Sequence, residues 1–307
     1  MTAPVPVFER TSLLNTRRII GGMFHLRPDP ALNQNVQYAL AYAANKYDIG
    51  LYAVACLSNH IHVPFYDPNG RHPEFRRDFH SLLTRATNVL RETQEGKWSP
   101  GHKSPVILHD VEAMLDRIAY TIANPARHDL VDDPWDWPGV VTRIEELAGP
   151  PTYVAKPEAF FDLEGDLPEE VPLRFVKPPL LEDWTDDEYR QVIASRVDAH
   201  CEAARNRRQS RRIPVLGRRR ILAQSPTDTP KTQPEPRTLN PLVACRIKRL
   251  RIAFLIWLQE FRQKYRKARR LFEGGHIDVE FPFGTYWLMR RYGVNCDAVG
   301  PPMPGSV

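Results

Sequence analysis

Two histidines separated by one residue, His60 and His62, are the first residues whose types and spacing could do chemistry. The apolar residues around them predict a strand, a tight turn at Asn59 and a second strand. Because side chains alternate along a strand, both imidazoles would share one face, with Cα atoms about 6.6 Å apart. At that distance the pair could bind one metal ion, while Ile61 would face the core.

A His-x-His pair alone is more often a hydrogen-bonded surface feature than a pair of metal ligands. The sequence contains no His-Glu-x-x-His, Cys-x-x-Cys or Gly-x-x-x-x-Gly-Lys pattern, so zincin, zinc-finger and P-loop functions find no support. A metal site at the histidine pair therefore needs a partner from elsewhere in the chain.

The second informative stretch is a predicted helix from Val111 to about Ala123, with one apolar stripe that includes Ile118. Tyr120 and Asn124 lie about 200° and about 240° from Ile118 around this helix, away from the stripe. They are four residues apart and so are neighbours on that face. Pro125 is expected to end the helix at or just before Asn124.

Two imidazoles, a phenol and an amide together fit cleavage of a phosphodiester by tyrosine attack. A phenol with a pKa of about 10 is a poor nucleophile at neutral pH without help. A divalent ion could polarise the phosphate while the tyrosine oxygen displaces a 3′-OH and forms a phosphotyrosine. That covalent bond would conserve the energy for strand transfer without ATP. Asn124 would supply a third, oxygen ligand.

The elements that must position these residues are predicted in the order β-α-β-β-α-β-α. The strands are expected at residues 18–26, on either side of Asn59 and at 106–108, with helices at 31–47, 73–95 and 111–123 and a loose arm at 1–16. This order fits an α+β fold, a ferredoxin-like antiparallel sheet with helices on one face. The other face of the histidine strand would then be available for a site.

The charge of the 307-residue chain is unevenly distributed. The net charge is +5, but residues 200–275 contain 20 Lys and Arg against 5 Asp and Glu. Such a block favours a polyanionic partner, most simply nucleic acid, with a solvated helix face or a partly disordered tail as the alternative. We predict a catalytic domain at 15–148, a Pro-rich linker at 149–183 and a basic, mostly helical C-terminal region at 184–307.

The two motifs together resemble those of the HUH endonucleases. The stretch 58–62, Ser-Asn-His-Ile-His, is similar to their His-hydrophobic-His signature. The stretch 120–127, Tyr-Thr-Ile-Ala-Asn-Pro-Ala-Arg, resembles the Tyr-Ile-x-x-Asn-Pro-Val-Arg segment of their single-tyrosine transposases, and most of all the REP-associated tyrosine transposases. The resemblance covers about residues 15–140 and departs from the pattern at Ala126, His128 and Asp129.

The resemblance implies an HUH endonuclease fold and a transposase or endonuclease that cleaves and rejoins hairpin-bearing single-stranded DNA through a covalent 5′-phosphotyrosine. Tyr120 matches the nucleophile, and His60, His62 and Asn124 match the metal ligands. The family implies Mg²⁺ or Mn²⁺, whereas imidazole ligands alone suit Zn or Ni at least as well. The chain would act as a monomer or homodimer.

Arginines are the predicted DNA contacts, because they can follow a phosphate backbone. They are Arg127, Arg205, Arg207, Arg208, Arg211, Arg212, Arg218, Arg219 and Arg220. Four cysteines without paired spacing, the lack of a secretory signal pattern and the lack of a bilayer-length apolar run predict a cytoplasmic protein without a membrane partner.

Two other functions stay open at this point. A domesticated nucleic-acid-binding protein could keep the fold without cleaving, although a pure binder has no need of all four site residues. A metal-dependent hydrolase could use the histidine pair to activate water. It would leave free 5′-phosphate ends and no covalent protein–DNA adduct.

Overall fold

The computed structural model describes residues 4–99, 105–157, 166–231 and 242–301. It is a mixed α+β structure with a mostly antiparallel central sheet and a separate two-stranded sheet. In chain order the elements are β1 (Thr11–Arg18), α1 (Pro30–Lys46), β2 (Gly50–Leu51), β3 (Ala55–Leu57), β4 (His60–Asp67), α2 (His72–Leu90), β5 (Val106–Leu108), α3 (Val111–Ile122), α4 (Asn124–Arg127), β6 (Thr152–Ala155), β7 (Glu170–Leu173), α5 (Asp186–Arg211), α6 (Arg218–Ala223), β8 (Val243–Ala244), α7 (Lys248–Glu273) and α8 (Trp287–Tyr292).

Strand β4 is an interior strand of the central sheet, with partners on both sides. The strand order is β2-β4-β1-β5-β8, and β3 pairs with β4 on the same edge as β2. All pairs in this sheet are antiparallel except the parallel pair of β5 and β8. In the β1–β4 register, Thr16 lies opposite His62 and Arg18 lies opposite His60. The predicted turn at Asn59 between two strands is confirmed.

Helices α1 and α2 cover one face of this sheet. Ile61 and Phe65 of β4 are completely buried on that face. The ring of Phe65 meets the ring of Phe75 in α2 at a centroid distance of 5.2 Å. Because side chains alternate along the strand, this packing turns the two histidines of β4 to the opposite face.

Helix α3 lies on the histidine face, so the prediction of helices on one face only is wrong. Leu14 of β1 shares this face with Pro64 and the histidines, and it packs with Met114 of α3. Helix α3 also packs against α5, and Ile118 of α3 and Ile193 of α5 belong to one buried cluster. The sequence did not indicate this arrangement because α5 lies in the predicted C-terminal region, far from α3 in the chain.

The first strand runs from Thr11 to Arg18, not over residues 18–26, and part of the predicted loose arm is therefore sheet. Both faces of β1 are covered, so polar residues in it are buried and the usual alternation is lost. Ser12 bonds to the hydroxyl of Tyr52 at 2.7 Å, and Asn15 accepts from the Arg76 guanidinium at 2.9 Å. After β1 the chain turns through two glycines with φ of 63° and 73°, which explains why the predicted strand does not form there.

The chain after residue 148 contacts the rest of the structure at several places. The predicted linker contains the antiparallel pair β6–β7, which packs against α1. Strand β8 extends the central sheet beside β5. Phe8 packs with Phe254 and Leu258 of α7, and the hydroxyl of Tyr286 donates a hydrogen bond to the Glu74 carboxylate of α2. The three predicted segments thus share packing contacts.

The four cysteines, Cys56, Cys201, Cys245 and Cys296, are all free thiols. Burial raises the pKa of Cys56 to about 12, so this thiol is protonated and unreactive at neutral pH. Within the described ranges, none of the helices combines the length and the apolar content that crossing a membrane requires.

Candidate active site

His60 and His62 leave β4 on the same face, as strand alternation predicts. Their ring centroids lie 4.9 Å apart and their planes are nearly perpendicular, at 89°. Both residues are buried, with exposed fractions of 7% and 6%. Two imidazoles at this separation can approach one ion.

Neighbouring side chains orient both rings. Asn59 Oδ1 lies 2.6 Å from His60 Nδ1, and because an amide oxygen only accepts, the histidine donates from Nδ1 and keeps its lone pair on Nε2. The hydroxyl of Thr16 lies 2.8 Å from His62 Nδ1 and can accept in the same way. Hydrogen bonds of this kind hold metal-binding histidines in the required tautomer and orientation.

His60 is neutral at neutral pH. Burial lowers its pKa well below the usual range, and electrostatic interactions with His62, His128 and Arg18 lower it further. The Asn124 side chain opposes this shift in part, although no hydrogen bond of good geometry joins the two residues. A neutral imidazole is the form that binds metal ions.

Asn124 is completely buried beside the histidine pair. Neither atom of its amide has a hydrogen-bond partner in the part of the chain that the structure describes. Leaving such a group unpaired costs about 1–3 kcal/mol. The prediction that Asn124 lies on an unburied face is wrong, because α3 ends at Ile122 and the chain restarts as α4 at Asn124, so the angle of a continuous helix does not apply.

Tyr120 lies at the edge of this group and is partly exposed. Its ring meets the His62 ring edge to face, with centroids 5.8 Å apart. The guanidinium carbons of Arg127 and Arg117 lie 4.5 Å and 5.5 Å from the centroid of the phenol ring. The phenol is thus placed beside the histidines by ring contacts and by two cation–π contacts, and a substrate could reach it.

A metal ion here would need Asn124 as well as the histidines. Among the described residues, no three His, Cys, Asp or Glu side chains are grouped so that they could hold a metal. His60, His62 and Asn124 together offer two imidazole nitrogens and an amide oxygen, a donor set that suits first-row divalent ions. The unpaired Asn124 amide and the neutral, oriented His60 fit such an ion.

The structure adds residues that the sequence analysis did not assign to the site. Asn59 lies inside the Ser-Asn-His-Ile-His motif, so its position directly before His60 could have assigned it to the site from the sequence. Thr16 carried no local signal, because only the register of β1 against β4 brings it to His62. His200 of α5, whose ring centroid lies 6.2 Å from that of Tyr120, also required the packing of α5 against α3.

The arginines predicted to contact DNA fall into different environments. Arg208 is 5% exposed, and its guanidinium bonds to Asp129 at 3.4 Å, to Asp132 and to the Ala126 carbonyl oxygen at 3.3 Å. It stabilises the packing of α5 on α4, which corrects its assignment as a DNA contact. The charge block could not show this because the two aspartates lie far from Arg208 in the sequence.

The other predicted arginines are more accessible. Arg207 is half-buried and donates to Asp129 Oδ1 at 2.6 Å, and Arg127 is partly buried against Tyr120. Six are exposed, on the last turns of α5, directly after it and on α6: Arg205, Arg211, Arg212, Arg218, Arg219 and Arg220. Backbone hydrogen bonds from Leu216 and Gly217 to residues 129 and 130 place the start of α6 next to α4.

Comparison with known proteins found one distant similarity of structure. The structure of a REP-associated tyrosine transposase bound to a REP hairpin is 15% identical in sequence and has a TM-score of 0.41. The match covers 54% of this chain and 99% of that one. No protein-family model and no curated protein matches the sequence. Because the structural likeness is so weak, the functional argument depends on the site residues.

Proposed function

We propose that the protein is a metal-dependent transposase or endonuclease that cleaves and rejoins hairpin-bearing single-stranded DNA, with Tyr120 as the nucleophile. The main support is the grouping of Tyr120, His60, His62 and Asn124, which come from three different elements. The proposal agrees with the resemblance of the two sequence motifs to the HUH single-tyrosine transposases.

His60, His62 and Asn124 would hold a divalent cation, and the motif resemblance favours Mg²⁺ or Mn²⁺. When bound, such an ion would polarise the scissile phosphate and offset its negative charge. The contribution of the chain itself is to keep His60 neutral and to orient both imidazoles through Asn59 and Thr16. The ligands are thus prepared before the ion binds.

The reacting group of the chain is the hydroxyl of Tyr120. Its oxygen would form a bond to phosphorus as the bond from phosphorus to the 3′-oxygen breaks. The phenol proton is lost to solvent, and the leaving 3′-oxygen takes up a proton and departs as a 3′-OH. The product is a 5′-phosphotyrosine, which a 3′-OH can attack in the reverse sense to rejoin a strand and release Tyr120.

The six exposed arginines on α5 and α6 would contact the DNA backbone. They stand on elements that pack beside α4, which carries Asn124 and Arg127. Arginine is suited to phosphate because its planar group donates two parallel hydrogen bonds. The preference for a hairpin rests on the motif resemblance.

A covalent-adduct assay tests this proposal. The protein is mixed with end-labelled, hairpin-bearing single-stranded oligonucleotides from its own genomic flanks, with Mn²⁺, and analysed on a denaturing gel. The expected result is a slow protein–DNA band that requires the metal and disappears in Tyr120→Phe. Tyr153→Phe is the matched control, because Tyr153 is exposed and lies on β6, and it should form the band normally.

Other outcomes would favour the alternatives. Cleavage without an adduct, retained in Tyr120→Phe, would indicate a hydrolase that activates water. A shift of the DNA on a native gel, with no cleavage in the presence of any divalent metal ion, would indicate a nucleic-acid-binding protein. Such a protein would keep the fold without the cleavage activity.

A further inference from the structure

We infer that His200 of α5 is a positioning residue that orders the ring of Tyr120 by holding Arg127 against it. The inference rests on the proposed function, in which Tyr120 is the nucleophile. It assigns a role in the active site to α5, which lies outside the stretch that carries the motif resemblance.

The first step is the contact between Arg127 and the phenol. The guanidinium carbon of Arg127 lies 4.5 Å from the centroid of the Tyr120 ring, within the range of a cation–π contact. A long arginine side chain has several rotamers, so this position must be selected by a further partner. His200 is such a partner, because its Nδ1 lies 2.9 Å from Arg127 Nη1.

The direction of this hydrogen bond determines which ring nitrogen of His200 is the acceptor. Arginine only donates, so Nδ1 of His200 accepts and the ring proton is on Nε2. Nε2 in turn faces Asp116 Oδ1 at 3.6 Å. The interaction with His200 is the largest cause that lowers the pKa of Asp116, so this residue stays a carboxylate. The imidazole thus lies between the Arg127 guanidinium, which donates a hydrogen bond to Nδ1, and the Asp116 carboxylate, which faces Nε2.

Asp116 lies on α3, the same helix that carries Tyr120. It stands four residues before Tyr120 on α3, and residues at this spacing are neighbours on a helix surface. The network therefore runs from α3 through His200 to Arg127 and back to the phenol. The ring centroids of His200 and Tyr120 are themselves 6.2 Å apart, at 87°.

His200 is not required for the packing of α5. Tyr189, Ile193, Val197 and Cys201 form the buried side of this helix, whereas His200 is partly exposed at its border. Replacement of His200 should therefore leave the fold intact and act on the position of Arg127. This separates a positioning role from a structural one.

The test compares His200→Ala with His200→Asn. Asn carries an acceptor oxygen at the same distance along the side chain as Nδ1, so it can keep the bond from Arg127 while Ala cannot. We expect His200→Ala to slow single-turnover adduct formation by up to about 10²-fold, because a nucleophile displaced by 1 Å can lose that much. His200→Asn should recover most of the rate. The affinity for DNA should be the same in both variants as in the wild-type protein.

A spectroscopic signal makes the result independent of activity. With 3-fluorotyrosine at position 120, the ¹⁹F resonance should shift or broaden in His200→Ala and return toward the wild-type position in His200→Asn. Glu202→Ala, an exposed change on the same helix, is the control and should move neither the rate nor the resonance.

The inference is overturned if His200→Ala leaves the rate or the resonance unchanged. It is also overturned if His200→Ala and His200→Asn lose activity equally, together with a lower melting temperature, since that is a structural effect. If the wild-type protein forms no adduct, the proposed function fails and the role of His200 in catalysis fails with it. The ¹⁹F signal would then still report whether His200 orders the ring.

Discussion

The rings of His62 and Tyr120 meet edge to face at 5.8 Å, although one belongs to a central strand and the other to a helix packed over it. This contact depends on the docking of α3 on the sheet, where Met114 packs with Leu14. The residues around it differ in what they stabilise, so substitutions can separate chemistry from folding.

Replacing Asn124 with Leu should abolish metal-dependent cleavage without lowering the free energy of unfolding. The amide is completely buried, and both of its polar atoms lack a hydrogen-bond partner in the described structure. Replacing a buried polar group that has no hydrogen-bond partner with an apolar side chain of similar volume leaves the stability of the fold unchanged or raises it. Chemical denaturation of the metal-free protein and Mn²⁺ titration calorimetry measure the two effects.

Asn15→Leu is the matched control for this substitution. Asn15 is also completely buried, but its side chain bonds to His80 at 3.2 Å and to Arg76 at 2.9 Å. Its replacement should lower the free energy of unfolding by about 1–3 kcal/mol. Equal destabilisation by the two changes would mean that the Asn124 amide has a structural role.

Thr16→Val should weaken metal binding by about 10- to 100-fold, because outer partners of histidine ligands usually contribute that much. The change keeps the shape of the side chain and removes the hydroxyl that lies 2.8 Å from His62 Nδ1. Thr16→Ser keeps the hydroxyl and should bind metal like the wild type. Equal affinities for the Val and Ser variants, measured by Mn²⁺ titration, would exclude this role.

Arg208 and Arg205 should respond in opposite ways to replacement by Ala. Arg208→Ala removes the bonds to Asp129, Asp132 and the Ala126 carbonyl oxygen and should lower the melting temperature. Arg205→Ala changes an exposed residue and should leave the melting temperature unchanged. It should instead weaken DNA binding and reduce the slope of the logarithm of the binding constant against the logarithm of salt concentration by the amount expected for about one phosphate contact. Thermal denaturation and binding titrations at several salt concentrations distinguish them.

A fragment of residues 1–183 should unfold without a cooperative transition. It lacks α5, which packs against α3, and β8, which pairs with β5. Differential scanning calorimetry of the fragment and the full chain tests this. A sharp transition like that of the full chain would instead support an independent catalytic domain at 15–148.

Substitutions in α5 test the packing of this helix against α3 in the full chain. Ile193→Ala opens a completely buried site and should cost about 2–5 kcal/mol. Gln191→Ala, an exposed change two residues earlier, should have almost no effect on the free energy of unfolding.

Local patterns determined most of the elements near the site. Helices α1, α2 and α3, the turn at Asn59 and the short strand β5 were predicted within a few residues, because their apolar spacing and their breakers are local features. The shared face of His60 and His62 followed from strand alternation alone. The candidate site residues were likewise chosen from their types and spacing, and their roles stay predictions.

Tertiary structure alone decided what surrounds those residues. Strand β1 was missed because both of its faces are covered and its buried polar groups are satisfied by distant partners, which erases the alternating pattern. The burial of Asn124, the pairing of Arg208 with two aspartates and the approach of His200 to Tyr120 depend on contacts between segments far apart in the chain. Sequence spacing reports which side chains share a face of one element, whereas packing decides which faces meet.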